Sequence, residues 1–182
     1  MRDISNDILR KASQGDLKSF EEIYKATASF VYNVALRIVN NREDAQEVTQ
    51  EVFLIVYHKL KNFRFESSFK TWIYRITANN ALNFARKASK ISNKMVEYDD
   101  AQVGALIPNE VQMAMDQEYH NNVVEGLLNA INPEQRACVV LRNIEGLSYQ
   151  QIAESLNINI NTVRSRLKRA RERMLSLKKA GG

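Results

Sequence analysis

The stretch Ser148–Met174 limits what this chain can fold into more tightly than any other. Ser148, with Gln151 three residues on, spells a capping box that starts a short helix. Ile152, Ala153 and Leu156 give that helix an apolar face. Asn157 falls where the turn needs a left-handed residue, a conformation asparagine tolerates best after glycine. Asn159 is placed to cap a second helix. In that helix Val163, Leu167, Ala170 and Met174 recur at i, i+4, i+7 and i+11, so they share one core-facing stripe. Two helices bent about such a turn form a helix-turn-helix, whose second helix enters a DNA major groove. Its free side carries Asn161, Thr162, Ser165, Lys168 and Arg169, flanked by Arg164 and Arg166, residue types that read base edges and hold phosphates. A plain solvated basic face would account for the charge but not for the turn and the caps.

Charge along the chain comes in blocks. The total is only +5, from 26 Lys and Arg against 21 Asp and Glu. Residues 161–182 hold eight basic residues and one acid, and residues 59–90 hold the same numbers. Between them, residues 91–135 hold one lysine and eight acids. Two basic blocks around an acidic segment suggest two nucleic-acid contact surfaces and a connector that DNA repels.

Length and composition allow two small domains and exclude several classes. The 182 residues make room for two helical units of roughly 60 to 90 residues each. A hydrophobic content of 45% is too high for a disordered chain. No apolar run approaches the ~20 residues of a membrane span, and the amino terminus lacks a signal-peptide pattern, so a cytoplasmic protein without membrane insertion is expected. The single cysteine rules out an intrachain disulfide. Cys138 lies in the apolar run Ala137–Leu141 and reads as a core residue, with a reactive thiol as the alternative. Neither His58, His120 nor the cysteine shows metal-ligand spacing, so no metal and no cofactor are expected.

Helix signals dominate, and no alternating strand pattern occurs, so the expected fold is all-α. Gly15-Asp16 separates a short first helix from one reaching about Val39; Asn40-Asn41 stops it and Glu43-Asp44 opens the next. Residues 63–69 read as a loop, followed by helix from Thr71 to about Lys87. Pro133 fits the first turn of a helix capped by Asn132. The expected organisation is a first domain over 1–90, a flexible acidic linker over 91–115 and a second domain over 116–182.

Two further surfaces stand out. In the helix from Asp44 to Leu60, Ala45, Val48, Val52, Ile55 and Val56 form the buried stripe, leaving Glu47, Gln50, Glu51 and Leu54 outward. Periodicity alone leaves open a solvated acidic face or a protein contact; the outward leucine suits the second. The other surface is the basic block's mixture of Lys59, Lys61, Phe63, Arg64, Phe65, Phe69, Lys70, Trp72, Tyr74 and Arg75. Rings among cations suit single-stranded nucleic acid, the bases stacking while the cations follow the backbone. Trp72, Arg75, Asn79, Asn83 and Arg86 share one stripe of the following helix; Ile73, Tyr74, Thr77, Ala81 and Phe84 lie toward the other side, where aromatics are more often core.

Three runs carry a family resemblance: Asp44-Ala45-Gln46-Glu47-Val48-Thr49-Gln50-Glu51-Val52-Phe53; Phe69-Lys70-Thr71-Trp72-Ile73-Tyr74-Arg75-Ile76 with Asn79; and Thr162-Val163-Arg164-Ser165-Arg166-Leu167-Lys168-Arg169-Ala170-Arg171. In order and spacing the chain resembles bacterial sigma factors of the extracytoplasmic-function (ECF) group, over nearly its whole length. Gln46, Phe65, Ile131-Asn132, Asn157 and Asn161 depart from the usual pattern. The resemblance implies a region 2 helical bundle, a region 4 helix-turn-helix and a linker in the polymerase's RNA path. It implies that Asp44, Glu47, Gln50, Glu51 and Leu54 bind core RNA polymerase, whose clamp helices and flap are the expected contacts. Lys61, Phe63, Arg64, Phe65, Ser67, Lys70, Trp72, Arg75, Asn79, Asn83 and Arg86 would open and read the minus-ten element, with a flipped base held by loop 62–68. Ser148, Tyr149, Asn161, Thr162, Arg164, Ser165, Arg166, Lys168, Arg169 and Arg171 would read the minus-thirty-five element as duplex. An anti-sigma factor is the implied inhibitor.

Two alternatives share parts of this pattern. A two-domain helix-turn-helix regulator would usually carry an alternating β/α receiver domain, and nothing here alternates. A nucleic-acid-processing enzyme would need a carboxylate cluster or an activated nucleophile near its basic surface, whereas the acids lie away from both basic blocks.

Overall fold

The computed structural model describes residues 4–95 and 126–180. No strand occurs among them. Local side chains set most of the helix boundaries. Ser5 starts α1 (Asn6–Ser13), its hydroxyl oxygen accepting the Ile8 N–H at 3.3 Å. Asp16 starts α2 (Leu17–Val39) by accepting the N–H and hydroxyl of Ser19 at 3.0 and 2.6 Å. The paired asparagines then divide the work at the next corner. Asn40 closes α2 in the left-handed region at φ 58°, and Asn41 opens α3 (Arg42–Lys59) by accepting the Asp44 N–H at 2.9 Å.

A 3₁₀ turn at Leu60–Asn62 leads into the loop before α4 (Phe69–Met95). This helix starts two residues before the expected Thr71, because the Ser68 side chain accepts the Thr71 N–H at 3.1 Å. It also runs past Lys87 into residues assigned to the linker, since neither glycine nor proline interrupts the sequence before Gly104. The remainder of 91–115, and residues 116–125, lie outside the described residues.

Helices α2, α3 and α4 pack on one another around Ile23, Val31, Ala35, Val48, Val52, Val56, Ile73 and Ala81, all fully buried. Burying each large aliphatic side chain contributes about 1.5–3 kcal/mol, an upper figure because unfolded chains are already partly compact. Two threonines enter this core without leaving a hydroxyl unpaired: Thr27 donates to the Ile23 carbonyl at 2.6 Å and Thr77 to that of Ile73 at 2.8 Å. Phe53, Ala78 and Leu82 are buried as well, outside the expected stripes.

The second unit begins, among the described residues, with helical residues 126–129. Asn132 and Gln135 form a reciprocal capping box for α5 (Pro133–Val139), with Pro133 at its first position. A wider π turn at Val140–Ile144 follows, which the continuous apolar run Ala137–Leu141 does not foreshadow. Gly146, at φ 72°, reverses the chain into α6 (Tyr149–Leu156). Asn157 adopts φ 51° and ψ 51° and turns it into α7 (Ile160–Ala180). The two units pack together, α5 and α6 resting on α2 and α4.

Candidate nucleic-acid interface

The helix-turn-helix has the geometry its sequence specifies. Ser148 accepts the Gln151 N–H at 3.2 Å while Gln151 accepts the Ser148 N–H at 2.8 Å. Asn159 accepts the Asn161 N–H at 2.8 Å at the start of α7. Val163, Leu167 and Ala170 are buried, with Met174 packed against them. This leaves Asn161, Arg164, Ser165, Lys168, Arg169 and Arg171 exposed and Thr162 half-buried. Arg164 donates to Asn161 Oδ1 at 3.0 Å and Ser165 to the Thr162 carbonyl at 3.0 Å, so the start of the helix presents an ordered polar edge. Tyr149 is half-buried beneath the Arg142 guanidinium, 5.3 Å from its ring centre.

Arg166 behaves differently from its neighbours. It is half-buried, one guanidinium nitrogen is enclosed, and its charge acts on Cys138 and Glu134. Burial pushes the Cys138 thiol up, and Arg166 only partly offsets this. Cys138 itself is fully buried in α5.

The aromatic-cationic block splits into a loop cluster and a helix stripe. Phe63 centres the cluster, 4.8 Å from Phe65, 5.2 Å from Trp72 and 5.9 Å from Phe69 between ring centroids. Trp72 is half-buried and Phe69 buried, so these two brace the loop, while Lys61, Arg64, Phe65, Ser67 and Lys70 are exposed. A cleft of about 500 Å³ opens between the loop and α1. The α1 side of that cleft carries no local sequence signal, because only the tertiary packing of α1 brings it there. Arg10, whose guanidinium lies 5.8 Å over the Phe65 ring, was missed for the same reason.

Much of the α4 stripe is occupied by the second unit. Arg75 donates to the Glu154 carbonyl at 3.1 Å and Asn79 to that of Ser155 at 2.7 Å. These carbonyls lie in the last turn of α6, where partial negative charge collects. Arg86 pairs with Glu134 at 3.1 Å, Lys70 with Glu145 at 3.8 Å, and Asn40 donates to Asn129 across the same junction. The pairing leaves its mark on both acids. Burial pushes the Glu134 carboxyl up, but the Arg86 bond, its own backbone N–H and the charges of Arg86 and Arg166 together hold it below the ordinary carboxylate range. For Glu145, set against α2, burial dominates and raises it despite Lys70 and Arg37. Asn83 stays exposed.

On α3, Glu47 and Gln50 are exposed and Leu54 is 62% exposed. Asp44 is half-buried in the first turn, where a negative charge suits the helix dipole. Glu51 turns toward α4 and lines a cleft with Asn83 and Arg86.

Fold and surfaces thus define a helical protein of two units, a bundle with a ring-and-cation loop and a helix-turn-helix with a cationic second helix. Sequence comparison assigns both units. Residues 23–91 match Sigma-70 region 2, and residues 122–174 match Sigma-70, region 4. The ECF RNA polymerase sigma-E factor of Haemophilus influenzae is 32% identical over 174 residues, spanning 91% of this chain and 90% of its own. The ECF RNA polymerase sigma factor SigE of Mycolicibacterium smegmatis is 35% identical over 161 residues, 88% of this chain; the match spans only 62% of that longer relative. In fold, the chain is similar to the sigma factor RpoE of Bartonella quintana, solved in complex with the anti-sigma factor NepR (TM-score 0.65, 23% identity, 89% of this chain and 98% of that one). The chain belongs to the sigma-70 family, within its ECF group of RNA polymerase sigma factors. Members of this family are transcription initiation factors. No described helix is long and apolar enough to cross a membrane.

Proposed function

We propose that this chain binds core RNA polymerase, directs it to promoters and helps open the minus-ten element, performing no catalysis of its own. The observation that carries the reading is the division of surfaces. A leucine 62% exposed stands beside Glu47 and Gln50 on α3, and separate cationic surfaces lie on α4 and α7. An apolar residue on an outward acidic face fits a protein partner, here the polymerase clamp helices, touched by Asp44, Glu47, Gln50, Glu51 and Leu54. The loop and α4 stripe, from Lys61 to Arg86, are assigned to the melted minus-ten strand. Ser148, Tyr149 and the outward side of α7 are assigned to the minus-thirty-five duplex, with Arg169 and Lys168 central. Arg166 contributes through its charge, since its guanidinium is turned partly inward. Domains 1–90 and 116–182, joined by 91–115, divide these tasks, and the second also meets the polymerase flap. The protein works in the cytoplasm, and an anti-sigma factor restrains it, a partner of the kind that NepR is for the similarly folded RpoE. The deciding experiment is run-off transcription on genomic fragments. Specific transcripts should need both this protein and core polymerase; promoter binding by the protein alone with no polymerase requirement would overturn the reading.

A further inference from the structure

Arg75, Asn79, Leu82 and Arg86 recur at i, i+4, i+7 and i+11 on α4, so they share one stripe. The bundle core lies on another side of the helix, where Ile73, Thr77 and Ala81 are buried. Leu82 is nonetheless only 3% exposed. The second unit covers it, since it holds the neighbours of Leu82 on that stripe: Asn79 donates to the Ser155 carbonyl and Arg86 pairs with Glu134. The cover is therefore apolar as well as polar.

Asn79 shows what the cover does to a reader of bases. A side-chain amide has two N–H donors, and both are engaged. They meet the Arg75 carbonyl of the same helix at 2.8 Å and the Ser155 carbonyl at 2.7 Å. Ser155 is buried in the last turn of α6, where end carbonyls lack partners within the helix and collect partial negative charge. The neighbouring Glu154 carbonyl accepts from Arg75 at 3.1 Å. The end of α6 thus offers α4 acceptor oxygens in a negative setting, as a nucleic-acid strand does. Helix α7 is placed differently: Asn161, Arg164, Ser165, Lys168, Arg169 and Arg171 all stay exposed while the units are packed.

We propose that the packed arrangement is a latch on one of the two DNA readers: the end of α6 and the cover over Leu82 keep a single strand off α4, while α7 stays free for duplex. The proposal rests on the reading of α4 as the single-strand reader. Packing and strand binding compete for Asn79, so the apparent single-strand affinity of the free protein is reduced to the fraction of molecules that are open.

The test follows two labelled probes by fluorescence anisotropy with the full chain and no polymerase. One is a single-stranded oligonucleotide carrying the minus-ten strand of a promoter found by run-off transcription, the other a duplex of its upstream element. Glu134→Lys, which sets a cation against Arg86, should bind the minus-ten strand about five-fold or more tightly than wild type. A scrambled strand reports the added charge alone; an equal gain on both strands would overturn the latch. Adding Asn79→Ala should remove the gain. Conversely, Asn40→Cys and Asn129→Cys, at side chains that meet across the junction, can be joined by a short bismaleimide with a cleavable disulfide in its span. Cys138 is fully buried and does not compete. Joining should leave duplex binding as in the unjoined protein but stop promoter opening with core polymerase, and reductant should restore it. Normal opening by the joined protein, beside an impaired Asn79→Ala, would refute the latch while leaving the reader on α4. Wild-type opening by Asn79→Ala would remove the reader assignment and the proposal with it.

Discussion

Leu54 lies beside Glu47 and Gln50 with most of its surface in solvent, so its removal should cost the fold little. Surface substitutions away from caps and cores usually stay within about 0.5 kcal/mol. Leu54→Asp should therefore unfold at the wild-type urea midpoint yet bind core polymerase more weakly by upwards of about 1 kcal/mol, as an interface anchor does. Undiminished capture of core polymerase by Leu54→Asp would withdraw this face as the docking surface. On α7 the exposed arginines should separate by position. Arg169 lies opposite the buried Val163/Leu167/Ala170 stripe, and its replacement by alanine should cost about 1–3 kcal/mol and relax preference at one or two positions of the upstream element. Arg171 lies to the side, so Arg171→Ala should weaken binding evenly across sequences and lower the salt slope. Titrations against wild-type and singly changed duplexes at two salt concentrations measure both; identical behaviour would mean that the groove-facing side is misassigned.

The helix-turn-helix is aimed by two side chains at its corners. Ser148 satisfies an end N–H of α6, and Asn157 carries the left-handed turn that sets α7 across it. Ser148→Ala should destabilise the second unit by about 1 kcal/mol. Asn157→Ala should cost about 1–2 kcal/mol, because alanine lacks the asparagine side chain's tolerance of that conformation, whereas Asn157→Gly should hold or raise stability. Urea melts followed by circular dichroism give the order Gly, Asn, Ala; alanine matching asparagine at 157 would show that the turn is not the constraint. At the other corner the same logic runs through Asn40 and Asn41, one ending α2 and the other starting α3. These elements were legible because a cap acts within three residues of itself. The π turn at Val140–Ile144 was not, since an apolar run carries no mark of where its helix widens.

Across the whole molecule, Arg75 and Arg86 of the α4 stripe reach the second unit while staying partly open to solvent. Although Glu145 is largely covered, Arg86 and Lys70 are each 49% exposed, so salt can screen these ion pairs and the contact should open readily. With fluorophores on α3 and α7, energy transfer should fall as salt rises and fall further in Glu134→Lys, which places a cation against Arg86; transfer unchanged by both would mean that the units are held by their apolar contacts. Acidity should act in two stages. Glu145 is raised when packed on α2, so protonating it favours the packed form, and the contact should tighten as pH falls through that raised value. Glu134 is lowered, so its contribution is present above the ordinary carboxylate value of about 4.3 and is lost as pH falls through its lower packed value. Energy transfer should thus rise and then drop on acidification; a steady fall from neutral pH would contradict the Glu145 assignment. The sequence by itself determined the helical class, the caps, most of the buried stripes of α3, α4 and α7 (Ile55 and Phe84 are only half-buried) and the family, because each is written in residues three or four apart on one helix. Only the tertiary structure decided that Arg10 meets Phe65, that Arg166 turns inward toward Cys138, and that Arg75, Asn79 and Arg86 rest on α5 and α6. Those contacts join residues tens of positions apart, and their partners are often backbone carbonyls, which every residue carries and no sequence pattern distinguishes.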